Sequence, residues 1–333
     1  MMKTTQIILA KRPTGTPSLD VFKFESISLP IPMDGEVLLE GLYYSVDPYM
    51  RGRMNDVKSY IPPFETGQPL NGGVVAKVLE SKSSKYNEGD LVVGMLPWRP
   101  ITIAHEKDLR KIDGDLAPPS YYLGVLGMPG LTAYIGITHI GKPKKGETVV
   151  ISGAAGAVGL VAGQMAKSQG CRVIGIAGSK EKVTALKETF GFDEAINYKS
   201  GVNMKKTIHA VCPQGVDVYF DNVGGEISDA VIQNINFHAR IVLCGQISLY
   251  NSTEIPMGPR LEPLLLTRSV CMQGFIITNY TDDFPEGIRH LAKCMEEGSL
   301  KFTETIIEGF DQLPLALLGL FKGENMGKMI VKR

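Results

Sequence analysis

Between Glu147 and Gly170 the sequence runs from a β-branched stretch through three glycines into a helical pattern, and few folds accommodate that order. Val149-Val150-Ile151 reads as a short buried strand that stops at Ser152-Gly153. After Gly153, Gly156 and Gly159 the pattern turns helical, with Val158, Val161 and Met165 in apolar positions, Ala162 and Ala166 beside them, and Gly170 as terminator. A strand that delivers the chain through glycines into a helix N-terminus makes a site for a pyrophosphate. Small residues let the backbone come close, and free N–H groups meet the negative charge. The spacing is GxxGxxG rather than GxGxxG, so the turn alone does not specify a dinucleotide.

The next residues extend the pattern. Cys171 to Ala177 reads as a second strand, Gly178-Ser179 breaks it, and Lys180 to Phe190 reads as a helix with Val183, Leu186 and Phe190 on one side and Ser179 as N-cap. Strand, helix, strand and helix at this pitch form one mononucleotide-binding half; a glycine turn that binds nothing is the weaker alternative. An NAD site usually places a carboxylate at the end of the second strand, roughly 20 residues after the glycines. Here stand Gly178, Ser179 and Lys180, with Lys182 one short turn on. The absent carboxylate and the nearby ammonium groups suit a 2′-phosphate and favour NADP(H), although Glu181 between the lysines leaves open an ordinary solvated helix surface.

A chain of 333 residues with 44% hydrophobic side chains can build two domains of ordinary size. Its 35 basic and 35 acidic residues cancel, and no basic stripe appears, which argues against nucleic acid or an anionic membrane as partner. No apolar stretch approaches the roughly 20 residues that span a bilayer, and the apolar run Ile7 to Ala10 is too short for a signal peptide. Cys171, Cys212, Cys244, Cys271 and Cys294 are widely spaced without a CxxC, and read as free thiols in a reducing, cytoplasmic setting.

Before Tyr121 no helical period of useful length occurs. Gln6 to Ala10, Glu36 to Leu42, Gly73 to Leu79 and Asp90 to Gly94 are strand candidates among Gly, Pro, Ser and Asn, a mostly-β texture. The chain turns helical around Met128 to Tyr134, which puts a boundary near residue 125. Ala195 to Tyr198, Val216 to Asp221, Arg240 to Cys244 and Val270 to Thr278 continue as strands, with helices over Asn203 to Val211, from Gly225 to about Asn236, and over Phe284 to Glu297. Groups at the carboxyl ends of parallel strands line the ligand crevice of an open sheet, so Tyr198, Asn222 and Gly245 can touch a dinucleotide; a plain turn residue is the lesser alternative for Asn222, beside two glycines, and an alternative for the other two. Leu300 to Ile307 and Lys328 to Lys332 read as strands around a helix near Leu313 to Phe321, too late to extend that sheet. The expected organisation is α/β: a Rossmann-type parallel sheet over 126–297 and a mostly-β domain over 1–125 completed by 298–333, with a cleft between them.

Over its whole length the chain resembles the zinc-independent medium-chain dehydrogenases, within them the leukotriene B4 12-hydroxydehydrogenase or prostaglandin reductase group of NADPH-dependent alkenal/one oxidoreductases. The resemblance rests on Ser45 to Arg51 (SVDPYMR), Gly127 to Tyr134 (GMPGLTAY), Gly153 to Gly159 (GAAGAVG), Phe220 to Gly225 (FDNVGG) and Gly323 to Lys328 (GENMGK). It implies a GroES-like catalytic domain, a Rossmann domain, and reduction of the carbon–carbon double bond of α,β-unsaturated aldehydes and ketones. Residue by residue it implies a pyrophosphate loop at Ala155, Gly156, Ala157 and Val158, and a 2′-phosphate on Lys182 with Tyr198 nearby. It places Asn222, Cys244, Gly245, Ile247, Ser248, Tyr250, Phe275, Ile276, Ile277 and Asn325 along the rest of the cofactor. Tyr250 matches the tyrosine that faces the substrate carbonyl, and Tyr49 a second pocket tyrosine; Leu249 stands where other members more often have Gln or Thr. Zinc-dependent relatives keep a Cys near 43–45 and Gly-His-Glu near 70–73. This chain has Tyr43-Tyr44-Ser45 and Leu70-Asn71-Gly72-Gly73, with no cysteine before Cys171, so no metal site is expected.

Without a metal Lewis acid, a plain ketone is a poor substrate, whereas a conjugated enone asks mainly for orientation and a donor to its oxygen. Tyr250 is the expected donor and a small apolar unsaturated carbonyl the expected substrate. Two alternatives stay open: an NADPH-dependent quinone reductase, and a non-catalytic nucleotide-binding protein. The late strands of the Rossmann sheet and the family resemblance together lead us to expect a homodimer through that domain.

Overall fold

The structure, a computed structural model, describes residues 2–333. The chain separates into two compact units, one formed up to Gly124 with Glu304–Asn325 and Met329–Arg333, the other by Val125–Thr303 with Met326–Lys328.

In the first unit, β1 (Met2–Leu9) pairs antiparallel with β2 (Phe22–Leu29). A seven-stranded sheet combines β3 (Glu36–Ser45), β4 (Asn71–Ser81), β5 (Leu91–Pro97), β6 (Ile101–His105), β7 (Leu109–Lys111), β14 (Glu304–Glu308) and β15 (Lys328–Lys332). The order is β14-β15-β3-β4-β5-β7, with β6 also on β3. Alternation sets the core: Val74, Ala76 and Val78 of β4 point to one side and pack with Leu39, Trp98 and Val331. Helix α9 (Leu313–Lys322) adds Leu313, Ala316, Leu317 and Leu320, an i, i+3, i+4, i+7 stripe, to the same cluster. Each leucine of that stripe, when fully buried, contributes about 1.5–3 kcal/mol. The short helix α1 (Met50–Arg53) leaves β3 and carries Tyr49 at its N-cap.

Strands β2 and β6 go beyond those read from the sequence. Most of β2 is solvent-facing, so its extended form comes from register with β1 rather than from a buried face. For β6, a five-residue strand, register against Glu36–Glu40 of β3 does the same.

The second unit is built on β8 (Thr148–Ser152), β9 (Arg172–Ala177), β10 (Glu194–Asn197), β11 (Val216–Asp221), β12 (Ile235–Leu243) and β13 (Cys271–Gly274). All pairs are parallel, in the order β10-β9-β8-β11-β12-β13. Every residue of β8 is buried, as a central strand covered on both faces requires. Its helices are α2 (Met128–Ile135), α3 (Ala157–Ser168), α4 (Lys180–Glu188), α5 (Met204–Val211), α6 (Gly225–Ile232), α7 (Glu262–Thr267) and α8 (Phe284–Glu296). The chain steps outward from β8 to β10 and then returns to lay β11 on the other side of β8, so the winding reverses between β8 and β11.

Several boundaries differ from the sequence reading. The helix expected to reach Asn236 ends at Ile232, and β12 begins at Ile235 rather than Arg240. Ile235 pairs with Val216, and a bulge at His238, in left-handed conformation, restores register at Arg240. The strand expected over Val270 to Thr278 is only Cys271–Gly274, because its partner β12 ends opposite Gly274; Ile277–Asp283 instead forms a 3₁₀ turn. Leu300 to Ile307 is strand only from Glu304. Lys301 is held differently: the Gln164 side chain donates to its carbonyl and accepts from its N–H, both at 2.8 Å, standing in for a strand neighbour.

Candidate active site

The glycine turn after β8 is shaped by close approach. Gly153 is left-handed (φ +58°) and turns the chain off the strand. A Cβ on Gly159 would lie 2.5 Å from the Gly153 carbonyl oxygen and 2.7 Å from Ala154 Cα, so only glycine lets α3 press onto the turn. Gly156 is the N-cap of α3 and makes no side-chain cap, which leaves the first N–H groups, those of Ala157 and Val158, as the open N-terminus of a twelve-residue helix. Gly327 N donates to Ala155 O at 2.8 Å and bridges to Gly156, so Met326–Lys328 braces the turn. These features fit a pyrophosphate.

At the end of β9 the chain enters α4 through Ser179, whose hydroxyl accepts the Lys182 N–H at 3.2 Å. Tyr198 follows β10 and lays its ring against Gly178, where a Cβ would come within 3.0 Å of it. Lys199 Nζ lies 5.8 Å from that ring centre. Lys182 is half-buried, and burial, with the neighbouring Lys199 charge, pulls its pKa below the ordinary lysine value. Two ammonium groups and a phenol around a helix N-terminus fit a phosphate monoester better than they fit one another.

Between β8 and β11, where the winding reverses, Asp221 is 1% exposed and meets six neutral donors. Oδ1 accepts from Ser152 Oγ (2.9 Å), Tyr219 Oη (2.9 Å), Val223 N (3.0 Å) and Gly224 N (2.9 Å). Oδ2 accepts from Ser228 Oγ (2.6 Å) and Gln246 Nε2 (3.1 Å). Asn222 is a bridge between strand ends: its N–H donates to Ser152 Oγ and its carboxamide to Ser152 O. The following segment is folded down on this turn, with Ser248 N and Oγ both donating to Val223 O and Ile247 N to Asn222 O.

Tyr250 caps that 3₁₀ turn (Ile247–Leu249) and is half-buried. Its hydroxyl accepts the Gln246 N–H at 3.3 Å, which leaves its own proton to be donated. Burial raises its pKa and the Gln246 N–H opposes the rise, so it stays a phenol at neutral pH. Burial also pushes the Cys244 thiol up to about 12, so it stays protonated and is no nucleophile at neutral pH. Phe275, Ile276 and Ile277 follow the carboxyl end of β13, half-buried, with the Phe275 ring edge-on to Tyr280.

The structure therefore brings together, on the second unit, Ala155 to Val158, Lys182 with Tyr198, Asn222, Cys244 to Tyr250 and Phe275 to Ile277, each at a carboxyl strand end of one sheet. Tyr49 and Asn325 belong to the first unit. The Tyr49 hydroxyl is shielded from solvent and meets no hydrogen bond of good geometry. Burial pushes its pKa up and the Arg53 guanidinium partly offsets that. Arg53 itself is tied to Pro62 O (3.0 Å) and Asn71 Oδ1 (2.6 Å).

Residues 5–112 match the family described as the N-terminal domain of oxidoreductase, and residues 157–293 the family described as zinc-binding dehydrogenase. The NADPH-dependent curcumin reductase of Escherichia coli (strain K12) is 42% identical over 98% of this chain and 95% of its own length. The 2-alkenal reductase (NADP(+)-dependent) of Nicotiana tabacum is 42% identical over 98% and 96%. The chain belongs to the zinc-independent medium-chain dehydrogenase/reductase family, in its NADPH-dependent alkenal/one reductase group. CurA of Vibrio vulnificus, solved in complex with NADPH, superposes on this family member with a TM-score of 0.95 at 42% identity, covering 98% of each chain. Zinc enters only through the second family's description; among the described residues no three His, Cys, Asp or Glu side chains converge on a metal position.

Sequence reasoning passed over Ser152, Asp221, Gln246 and Lys199. Asp221 carried a signal, a carboxylate closing an apolar strand, where burial demands partners. The lysine pair generates a prediction. Replacing Lys182 with Ala is expected to raise the NADPH dissociation constant about tenfold or more, since a charged hydrogen bond contributes roughly 1.5–3 kcal/mol, with NADH little changed. Titration of both nucleotides checks it, and equal losses for the two would remove the assignment.

Proposed function

We propose that this chain reduces the carbon–carbon double bond of α,β-unsaturated aldehydes and ketones, with NADPH as hydride donor. The observation that carries the reading is the Tyr250 turn, a phenol held by a main-chain N–H with its proton available, at the carboxyl end of β12. Relatives named for the reduction of alkenals and curcumin, at 42% identity over nearly the whole chain, support the same chemistry.

When bound, the nicotinamide supplies the hydride that adds to the substrate's β-carbon. Charge then collects on the carbonyl oxygen, Tyr250 donates a hydrogen bond to that oxygen, and a proton from solvent adds to the α-carbon to complete the saturated carbonyl. A neutral hydrogen bond to an oxygen gaining charge strengthens along the reaction, so it favours the transition state over the ground state. The open N-terminus of α3 at Ala155 to Val158 takes the pyrophosphate, and Lys182 with Tyr198 takes the 2′-phosphate. Asn222, Cys244, Gly245, Ile247, Ser248, Phe275, Ile276, Ile277 and Asn325 complete the cofactor's surroundings in this reading. Tyr49, with its buried and unsatisfied hydroxyl, is the first unit's candidate for contact with an apolar substrate.

We infer also a homodimer through the second unit. In support, β13 is the outermost strand of the parallel sheet, with Cys271, Gln273 and Gly274 exposed, and a bare strand edge invites a twin. Five free cysteines, Cys271 exposed, suit a reducing compartment such as the cytoplasm. No helix among the described residues is long and apolar enough to cross a membrane.

NADPH oxidation across a panel of enals, enones and quinones, with product analysis, tests the reaction; turnover of quinones alone would replace it with quinone reduction. Tyr250→Phe is expected to lower kcat/KM for an enone about 10- to 1000-fold, roughly 1.4–4 kcal/mol, with NADPH affinity changed less than about threefold. A value within a factor of about two of the parent would remove Tyr250 as donor. Light scattering at micromolar concentration should return the dimer mass, and a monomer mass would rule the assembly out.

A further inference from the structure

The Gln246 side chain is the only link from the Tyr250 turn to the Asp221 carboxylate among its six donors; the other five come from Ser152, Tyr219, Val223, Gly224 and Ser228. A carboxylate only accepts, so the amide nitrogen of Gln246 must face Asp221 and its oxygen must face away. That oxygen lies against Gly224, where a Cβ would overlap it; Gly224 is left-handed (φ +74°) and has no side chain to displace it. The main chain of the same residue does the rest. Gln246 N donates to Tyr250 Oη at 3.3 Å, and Gln246 O accepts from Leu249 N at 2.9 Å. One residue thus grips a buried, immobile anion with its side chain while its backbone orients the phenol four residues on.

We propose that Gln246 is a positioning residue, anchoring the turn that carries Tyr250 to the buried Asp221 carboxylate and so setting where the phenol hydroxyl stands. The inference rests on the reading of Tyr250 as donor to the substrate oxygen. The anchor is well chosen for the task. Asp221 is fixed by two main-chain N–H groups and three hydroxyls from β8, β11 and α6, none of which moves without unfolding the strand ends. By contrast Ile247 and Ser248 donate only to the carbonyls of Asn222 and Val223, and Leu249 N only to Gln246 O, contacts that fix the turn's height but not the phenol's direction.

Gln246→Met keeps length and volume and removes the donor. In the full-length protein it is expected to lower kcat/KM for an enone about tenfold or more, with the NADPH dissociation constant within about threefold of the parent. The double variant Gln246→Met/Tyr250→Phe is expected to be no worse than Tyr250→Phe alone by more than about twofold, because the anchor acts through that hydroxyl. In nucleotide-free protein, amide exchange over residues 247–250 is expected to quicken about tenfold while residues 218–220 keep their protection. Activity of Gln246→Met within about twofold of the parent, or losses that multiply in the double variant, overturns the proposal. If Tyr250→Phe alone costs nothing, the donor reading falls by itself and amide exchange decides the anchor: faster exchange keeps it, unchanged exchange overturns it. Should Gln246→Met not fold, Gln246→Asn, polar but one methylene too short to reach Asp221, takes its place with the same expected outcomes.

Discussion

How closely α3 can approach the turn after β8 is the constraint on which the second unit depends. With a Cβ at 159 the helix would have to retreat from the Gly153 carbonyl and from Ala154, both backbone, which cannot yield as a side chain can. One turn on, a Cβ at Gly163 would overlap the tip of the Phe192 ring, 2.0 Å from Cζ, so the same helix face is kept smooth for a second reason. The three glycines at 153, 156 and 159 therefore divide their work. The first supplies a left-handed turn, the second an uncapped helix start, and the third contact. That division explains why GxxGxxG can serve where GxGxxG is the more familiar spacing: close approach and an open N-terminus are what a phosphate site needs, and both are present.

The two ends of the parallel sheet are closed by different electrostatics. At the amino ends, Arg240 of β12 reaches Glu147 at 2.5 Å and the carbonyls of Gly141 and Lys142 at 2.9 Å, while Thr148 N donates to Asp217. The Arg240 fork finds complementary acceptors there, and the pair locks β8 to β12; burial opposes the Glu147 charge, and the bonds from Arg240 and the Lys144 N–H outweigh it. At the carboxyl ends a cation beside Asp221 would occupy the crevice. Six neutral donors satisfy the carboxylate instead, with no cation needed beside it. The ion pair secures the frame, whereas the neutral network shapes the site.

The sequence disclosed most about what backbone and burial enforce. The all-buried β8, the glycine turn, the Ser179 cap and the stripe of α9 were legible because each follows from a local rule of period, cap or close approach. Strand ends were not legible where a partner decides them: β13 stops because β12 stops, and Lys301 is extended but unpaired with any strand because Gln164, 137 residues earlier, occupies its hydrogen bonds. The helix after Gly225 was read too long because the alternation of Ile235, Phe237 and Ala239 is short and is interrupted at His238, left-handed between the exposed Phe237 and the buried Ala239. Within the site, Lys182 and Tyr250 stood out by type and position. Gln246 did not, since a glutamine after a glycine carries no pattern; its importance comes from Asp221, brought opposite it by sheet order alone.

On the proposed reading, the two anion sites of this unit are written in different alphabets, and that difference governs how the cofactor preference can change. The pyrophosphate position at α3 is made of main-chain N–H groups whose geometry is set by what glycine lacks, so almost any substitution at Gly159 disturbs the packing before it alters the ligand. The phosphate position at α4 is made of side chains, Lys182 and Lys199 beside Tyr198, on a helix whose cap is provided separately by Ser179. Burial first and the Lys199 charge second disfavour the charged form of Lys182 and lower its pKa, and a bound anion offsets both. A carboxylate at the end of β9 would do so from within and at the same time repel the 2′-phosphate. On that reading, discrimination between the two nucleotides resides in a few replaceable side chains, while the open helix start at the pyrophosphate is set by the fold of the turn.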